Sequence, residues 1–279
     1  MPWHARLDLD YHHDGARSIA RFRHEGPLRV LQSLYPEGPD ICHNVLVHPP
    51  SGLVGGDTLS IRVQAAAGSH GLITTPGATR FYRSEGEVAL QHTRIRVDAG
   101  ARLEWLPLEA LCYSGCLAEN RLELELAPGA EMIGWDVTAL GLPHAHKPFG
   151  AGHFQQHIEW PGVWLERGRI AADDARLLDG PLGLAGHRCL ASLFILSGTP
   201  LARARRERLL ELARALLPEA RGEASPLPAG VTSPQPQVIV LRALAPVVEP
   251  AFALLRRVWS AWRQQLWQRG GDSPRIWNT

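Results

Sequence analysis

The chain has 279 residues, with 29 basic and 28 acidic side chains, a formal net charge of +1 and 45% hydrophobic residues. This length can bury one substantial core, and the balanced charge gives no indication of a nucleic-acid partner. No stretch approaches the roughly 20 apolar residues needed to cross a bilayer, and the first residues lack the apolar core of a signal peptide. We therefore expect a cytoplasmic protein with neither a membrane nor a nucleic-acid partner.

The chain up to residue 160 consists of short apolar segments separated by turns rich in glycine and proline. Alternating apolar and β-branched residues within these segments predict half-buried strands. The predicted strands span residues 17–23, 28–33, 44–47, 58–63, 71–75, 88–97, 102–105, 121–126, 131–138 and 153–160. Similar turns at residues 98–101 and 127–130 suggest coils of similar geometry. The pattern predicts a mainly β fold, in a helically wound or sandwich-like two-layer arrangement rather than a parallel sheet with crossover helices.

The pattern changes after residue 191, where two helices are expected. The predicted elements are a strand at 192–196, a helix at 201–217, a loop at 218–236, a strand at 238–244 and a helix at 250–269. Thr199-Pro200 supplies an N-cap and a first-turn proline for the first helix. An apolar face on the second helix, formed by Leu255, Val258, Trp259, Trp262 and Leu266, favours core packing over partner binding.

We expect a single domain over residues 1–279. Its parts are a β-rich body (1–191), a β-α-β-α segment packed on it (192–269) and a C-terminal tail (270–279). The tail contains an arginine and a tryptophan, which indicate docking either onto its own domain or onto a partner.

Two glycine-containing motifs lie among the central predicted strands. Residues 52–57 are Gly-Leu-Val-Gly-Gly-Asp, and residues 75–84 are Thr-Pro-Gly-Ala-Thr-Arg-Phe-Tyr-Arg-Ser. Further motifs follow in order along nearly the whole chain: Leu103-Glu104-Trp105-Leu106-Pro107, Trp135-Asp136, Leu165-Glu166-Arg167 and Pro274-Arg275-Ile276-Trp277. This collinear series resembles the UreD family of urease accessory proteins, also called UreH.

The resemblance implies a maturation factor for a nickel enzyme, not an enzyme itself. Such a factor binds the helical accessory protein UreF on one side and apo-urease on another, and the GTPase UreG is recruited through UreF. Nickel then passes transiently through an internal tunnel, no cofactor is tightly bound, and GTP enters only through the partner GTPase. By motif, Asp136 and Glu166 are the best candidates for lining residues, followed by Glu104.

Several carboxylates lie beside apolar or aromatic residues in the predicted strands, among them Asp57, Glu104, Asp136 and Glu166. A buried acid costs several kcal/mol unless it is paired, hydrogen-bonded or beside water. Two interpretations remain open. The acids form ion pairs with arginines, for which Arg80, Arg83, Arg102 and Arg167 are candidates, or they line a hydrated passage whose weak oxygen ligands let nickel move.

Other residues are candidates for metal binding or partner contacts. His43, which follows Cys42, matches the family and could lie on the nickel path or be a hydrogen-bonded buried histidine. His144, His146, His153 and His157 are expected to be surface residues rather than one metal site. Aromatic residues mixed with arginines indicate contact surfaces, and these residues are Arg80, Phe81, Tyr82, Arg83, Arg275 and Trp277.

Three alternatives to a nickel conduit remain. A docking platform without metal transit needs no hydrated passage. A thiol-dependent hydrolase needs a histidine within hydrogen-bond reach of Cys112, and a secreted β-solenoid adhesin needs a signal peptide and disulfides. Nucleotide hydrolysis by the chain itself is excluded, because Lys147 is the only lysine and a Walker A loop therefore cannot form.

Overall fold

A computed structural model describes residues 2–218, 227–271 and 273–278. Within them the chain forms 18 strands and three α-helices. The strands are β1 (His4–His13), β2 (Ser18–Glu25), β3 (Arg29–Leu34), β4 (Cys42–Val47), β5 (Gly52–Leu53), β6 (Thr58–Ala65), β7 (His70–Thr74), β8 (Thr79–Phe81), β9 (Ala89–Val97), β10 (Arg102–Leu106), β11 (Ala110–Cys112), β12 (Cys116–Leu126), β13 (Glu131–Leu140), β14 (Gly152–Trp160), β15 (Trp164–Ala171), β16 (Cys189–Ser197), β17 (Ala229–Gln235) and β18 (Val238–Ala245). The helices are α1 (Ala175–Asp179), α2 (Arg203–Arg214) and α3 (Val248–Trp267).

The strands form two stacked sheets wound by one chain. The first sheet has the order β15-β14-β12-β9-β6-β1-β2, and the main path of the second is β17-β18-β16-β13-β10-β7-β4-β3. From β6 to β14 the chain alternates between them, so that β6, β9, β12 and β14 are parallel neighbours in one sheet and β7, β10 and β13 in the other. No α-helix lies within this wound segment. The predicted mainly β, helically wound two-layer fold with two C-terminal helices is confirmed.

Successive coils have the same geometry. The turn at residues 98–101 connects β9 to β10, and the turn at 127–130 connects β12 to β13 one coil later. The flanking residues are in register, since Val97 pairs with Leu126 and Arg102 with Glu131. The sequence similarity between these turns therefore does mark equivalent positions of consecutive coils.

Two hydrophobic clusters hold the layers together. One lies between the two sheets, and the other lies between the second sheet and helices α2 and α3. The predicted apolar face of α3 is buried in the second cluster, where Trp259 and Trp262 have no exposed surface. No helix in the described ranges has the length and apolar character to span a membrane.

Three long strands were not predicted. β1 alternates charged outward residues with buried inward ones, and it pairs in parallel with β6. β15 extends the first sheet beyond β14. β17 lies inside the predicted loop 218–236. It is an edge strand whose pairing shifts in register before Gln235. Such a strand tolerates the proline and serine that suggested a loop. Residues 219–226 of that loop lie outside the described residues.

Close coil packing requires glycine at position 152. Its φ is +86°, and an added Cβ would lie 2.1 Å from the carbonyl oxygen of Cys116, whereas Gly100, at φ +71°, has nothing within 4 Å of an added Cβ. We expect Gly152→Ala to lower the free energy of unfolding by about 2–4 kcal/mol, and Gly100→Ala by about 1 kcal/mol, because only the first adds a steric clash to the backbone strain. Denaturant unfolding measures both, and equal losses would contradict the close packing of these coils.

Candidate functional site

A row of three amide side chains crosses the inner face of the first sheet. Gln91, Asn120 and Gln156 lie on β9, β12 and β14, and Asn120 pairs in register with both of the others. Alternation along each strand points all three toward the second sheet. Their inward neighbours on the same strands are fully buried, namely Ala89, Thr93, Ala118, Leu122, Phe154 and Ile158. The amides are only half-buried. The amide row is therefore less completely buried than the side chains on either side of it.

Asp136 on β13 faces this row from the second sheet. Asn120 Nδ2 donates to Asp136 Oδ2 at 2.9 Å, and Gln156 Nε2 donates to Asp136 Oδ1 at 2.5 Å. Gln91 Nε2 donates to Asn120 Oδ1 at 3.2 Å, and Thr79 Oγ1 donates to Gln91 Oε1 at 3.5 Å. These five residues form a continuous hydrogen-bonded chain between the sheets, which we call the polar line.

A cleft lies at each end of the polar line. The first cleft, of about 310 Å³, is lined by Thr79 and Gln91 together with His48 and Trp105. The second cleft, of about 450 Å³, opens between β15 and strands β17 and β18, and Gln156 lies in its wall. The polar line thus joins two surface openings through a core that is otherwise mostly apolar.

Asp136 lacks a cationic partner. It is 8% exposed, and among the described residues no arginine, lysine or histidine lies within ion-pair distance of it. The pKa of Asp136 is raised to about 6, mainly by burial and also by the negative charge of Glu166, while the hydrogen bonds from Gln156 and Asn120 oppose the rise. A carboxyl group with a pKa of about 6 is mostly ionised at neutral pH and becomes protonated in weakly acidic solution.

Glu166 lies in the second cleft and is paired. It projects inward from β15, and Arg242 on β18 donates to both of its oxygens, from Nη2 at 2.6 Å and from Nε at 3.2 Å. The cleft also contains Ser192, which pairs in register with Asp136 on one side and with Arg242 on the other. The structure thus brings Asp136 and Glu166 to the same end of the polar line.

Glu104 and His43 belong to a different cluster, on the opposite face of the second sheet. Glu104 is fully buried and accepts hydrogen bonds from His70 Nε2 at 2.8 Å, Trp259 Nε1 at 2.7 Å and Arg263 Nε at 3.0 Å. Arg263 on α3 also donates to Glu37, which binds His43 at 2.9 Å. These contacts fasten α3 onto the sheet.

The charges of this cluster are strongly stabilised. Burial would raise the pKa of both acids, but the hydrogen bond from His43 and the contacts with Arg263 lower the pKa of Glu37 to about 2. The hydrogen bond from His70 and the charge of Arg263 likewise lower the pKa of Glu104. Glu37 and Glu104 therefore form ion pairs with an arginine rather than lining a hydrated passage, and neither residue lies on the polar line.

Asp57 also has a local role. Its Oδ1 accepts from the backbone N–H of Trp3 at 2.8 Å, and its Oδ2 accepts from that of Val54 at 2.9 Å. The carboxylate therefore holds the N-terminal residues against the turn before β6. The structure does not bring Asp57 together with Asp136.

The proposed contact residues divide into buried and exposed sets. Phe81 is fully buried and packs on Phe154 with ring centroids 5.8 Å apart. Trp277 is buried, and its Nε1 donates to Thr74 Oγ1 at 2.7 Å, so the tail docks onto its own domain. Neither side chain can be a surface contact in this structure. The remaining candidates lie at least partly at the surface: Arg80, Tyr82, Arg83 and Arg275.

The histidines and cysteines do not form a metal centre. His144 and His146 are exposed as expected, but the prediction for His157 was wrong, because its side chain is buried and pairs with Glu159 at 2.9 Å. Across the described ranges no group of three or more His, Cys, Asp or Glu side chains is arranged to hold a metal ion. Cys112 is buried beside Cys116, and burial raises the pKa of its thiol well above the ordinary value. This arrangement argues against a thiol-dependent hydrolase, since no histidine activates the thiol.

Comparison with known proteins identifies the family. A family model described as UreD urease accessory protein matches residues 4–278. The chain belongs to the UreD family. The protein named "Urease accessory protein UreD" from Variovorax paradoxus (strain S110) is 70% identical over 279 residues and covers 100% of both chains. Proteins of the same name from Polaromonas sp. (strain JS666 / ATCC BAA-500) and Polaromonas naphthalenivorans (strain CJ2) are 64% and 63% identical, again over 100% of both chains.

Besides Thr79 on the short strand β8, four residues of the site in this UreD-family chain were not predicted: Gln91, Asn120, Gln156 and Arg242. The sequence did contain a signal. Each is a polar residue at an inward position of a strand whose other inward residues are mostly apolar. Such exceptions within the predicted strands would have identified Gln91, Gln156 and Arg242, because all three lie within predicted strand bounds, whereas Asn120 lies just before the predicted strand 121–126.

The buried ion cluster gives a stability prediction. Arg263→Met leaves the carboxylates of Glu37 and Glu104 without their shared guanidinium, so we expect the free energy of unfolding to fall by about 3–5 kcal/mol. Arg269→Met removes an exposed partner of Asp40 and serves as the matched control, with an expected loss of less than about 1 kcal/mol. Urea unfolding compares the two variants. A loss for Arg263→Met as small as that of the control would show that this cluster does not hold α3.

Proposed function

We propose that this protein acts in urease maturation as a non-catalytic nickel-insertion chaperone in the cytoplasm. It scaffolds the accessory complex on apo-urease and conducts nickel to the active site of that enzyme. In this proposal UreF binds directly, UreG joins through UreF, and GTP enters only with UreG. The observation that carries the conduit is the polar line, which joins two clefts through the space between the sheets.

The chemistry of the polar line suits transit rather than storage. Carbonyl, hydroxyl and carboxylate oxygens hold nickel less tightly than thiolates or several imidazoles do. Conduction requires sites that bind strongly enough to admit a cation and weakly enough to release it. Spaced single oxygen ligands around one carboxylate, Asp136, meet this requirement better than a closed metal centre would. In this view nickel is a transient cargo, and no cofactor is tightly bound.

The burial of Asp136 without a cation supports a functional role. A carboxylate in this position destabilises the folded protein, and the raised pKa measures that cost. An uncharged asparagine there would keep the hydrogen bond from Asn120 through its oxygen, and its NH2 group would pair with Gln156 once the amide of Gln156 is turned to present its oxygen. Proteins often keep a destabilising side chain at sites where function and stability conflict.

A docking platform without nickel transit is the second candidate. It is favoured by the structural roles of Glu104 and Asp57, which are held by Arg263 and by backbone N–H groups respectively. In that case the polar line contributes only to folding, and changes to its residues leave the nickel content of urease unaffected. The two candidates therefore differ in a measurable outcome.

Asp136→Asn separates these candidates. The folded-state pKa of about 6 lies above the ordinary value of 3.8, so ionisation disfavours folding, and wild-type stability rises as the pH falls from neutral through about 6. We expect the variant to unfold with a free energy about 1–3 kcal/mol higher at neutral pH, and to lose this advantage in acid. We also expect a severalfold lower nickel content of urease matured with the variant, with partner binding intact.

The control is Asp10→Asn, which makes the same change on the outer face of β1, where Asp10 pairs with Arg62. Nickel content is measured on purified urease, and unfolding on the isolated variants. Full nickel loading by Asp136→Asn would reject the conduit and leave the docking platform.

A further inference from the structure

The second cleft is bridged by one ion pair between the two sheets. Glu166 comes from β15 at the edge of the first sheet, and Arg242 comes from β18 in the second. The residue opposite Arg242 on β17 is Gly230, and the residue opposite Gln156 on β15 is Gly168; an added Cβ at either glycine meets nothing within 4 Å. Among the described residues, no ion pair other than that of Glu166 and Arg242 is seen to bridge the two sheets at this opening.

The pair has two electrostatic effects on a cation at this opening. The guanidinium of Arg242 repels a divalent cation that moves between the cleft and Asp136. The same guanidinium occupies both oxygens of Glu166, so that this carboxylate is not free to act as a ligand. Without Arg242, the carboxylates of Glu166 and Asp136 would face the same space beside Ser192, and a cation would find two acidic ligands there rather than one.

We propose that Arg242 is the gate of the passage: its pairing with Glu166 closes the second cleft to nickel, and a carboxylate of a docked protein partner opens it by drawing the guanidinium outward. The inference rests on the conduit proposed above and adds a control point to it. Its consequence is that nickel leaves the polar line only when a partner with an acidic surface covers this opening.

The exposure of the pair makes such an exchange feasible. The side chain of Arg242 is 48% exposed and that of Glu166 20% exposed, so an external carboxylate can reach the guanidinium. Exposed ion pairs contribute little to stability, and replacing one carboxylate partner of Arg242 by another therefore has a small energetic cost. The buried pair of Arg263 and Glu104 could not be exchanged in this way, because both side chains are 0% exposed.

The test uses the isolated full-length protein and Mn²⁺, a cation that prefers oxygen ligands to imidazole and so avoids the exposed histidines. Arg242→Met removes the charge and keeps an unbranched side chain. We expect this variant to bind one Mn²⁺ about tenfold or more tightly than wild type, as measured by electron paramagnetic resonance of free Mn²⁺. Arg242→Met combined with Asp136→Asn should lose the gained site.

Arg167→Met is the matched control, because Arg167 is an exposed neighbour of Glu166 that lies on the other face of β15. Unfolding curves for all variants verify that they are folded. Equal Mn²⁺ binding by wild type and Arg242→Met would overturn the gate, as would a gained site that persists with Asp136→Asn or appears in Arg167→Met. These outcomes leave the conduit itself untouched, since the conduit is tested separately by the nickel content of urease.

Discussion

The in-register stacking of parallel coils is the constraint on which the other features depend. Because β9, β12 and β14 pair residue for residue, the inward side chains at one level form a straight row across the sheet. A register slip of one residue would turn Gln91, Asn120 or Gln156 to the outer face and replace it with an outward-facing residue. Close contacts between coils, such as that of Gly152 with the backbone of Cys116, help to fix this register and with it the polar line.

Acids on the two faces of the second sheet have pKa values that are shifted in opposite directions. On the face toward the first sheet, Asp136 is surrounded by amides, and burial raises its pKa to about 6. On the face toward α3, Glu104 contacts Arg263 and His70, and its pKa is lowered. The two acids look alike in the sequence, because both lie on parallel strands and each is next to a tryptophan. The cation supplied by α3 makes Glu104 a structural anchor, whereas Asp136 is held by uncharged amides.

Much of the fold could be predicted from local patterns, and less of the site. Alternating residues identified most strands, and the repeated turns indicated the winding, because both are local. The arginine partners were not predictable: Arg263 and Arg242 lie 159 and 76 residues from the acids they bind, and none of the arginines considered from the sequence fills either role. Which acid faces which layer depends on sheet stacking, so sequence alone could not separate Asp136 from Glu104.

The central claim is that nickel passes along the polar line between the sheets. The most direct test blocks its midpoint with Asn120→Leu, a change that places an apolar side chain of similar size between the two clefts and leaves both openings and their charges in place. The measurement is the nickel content per active site of urease matured with this variant. Our account predicts a value well below that of wild type although the accessory complex still assembles. A nickel content equal to that of wild type would contradict it.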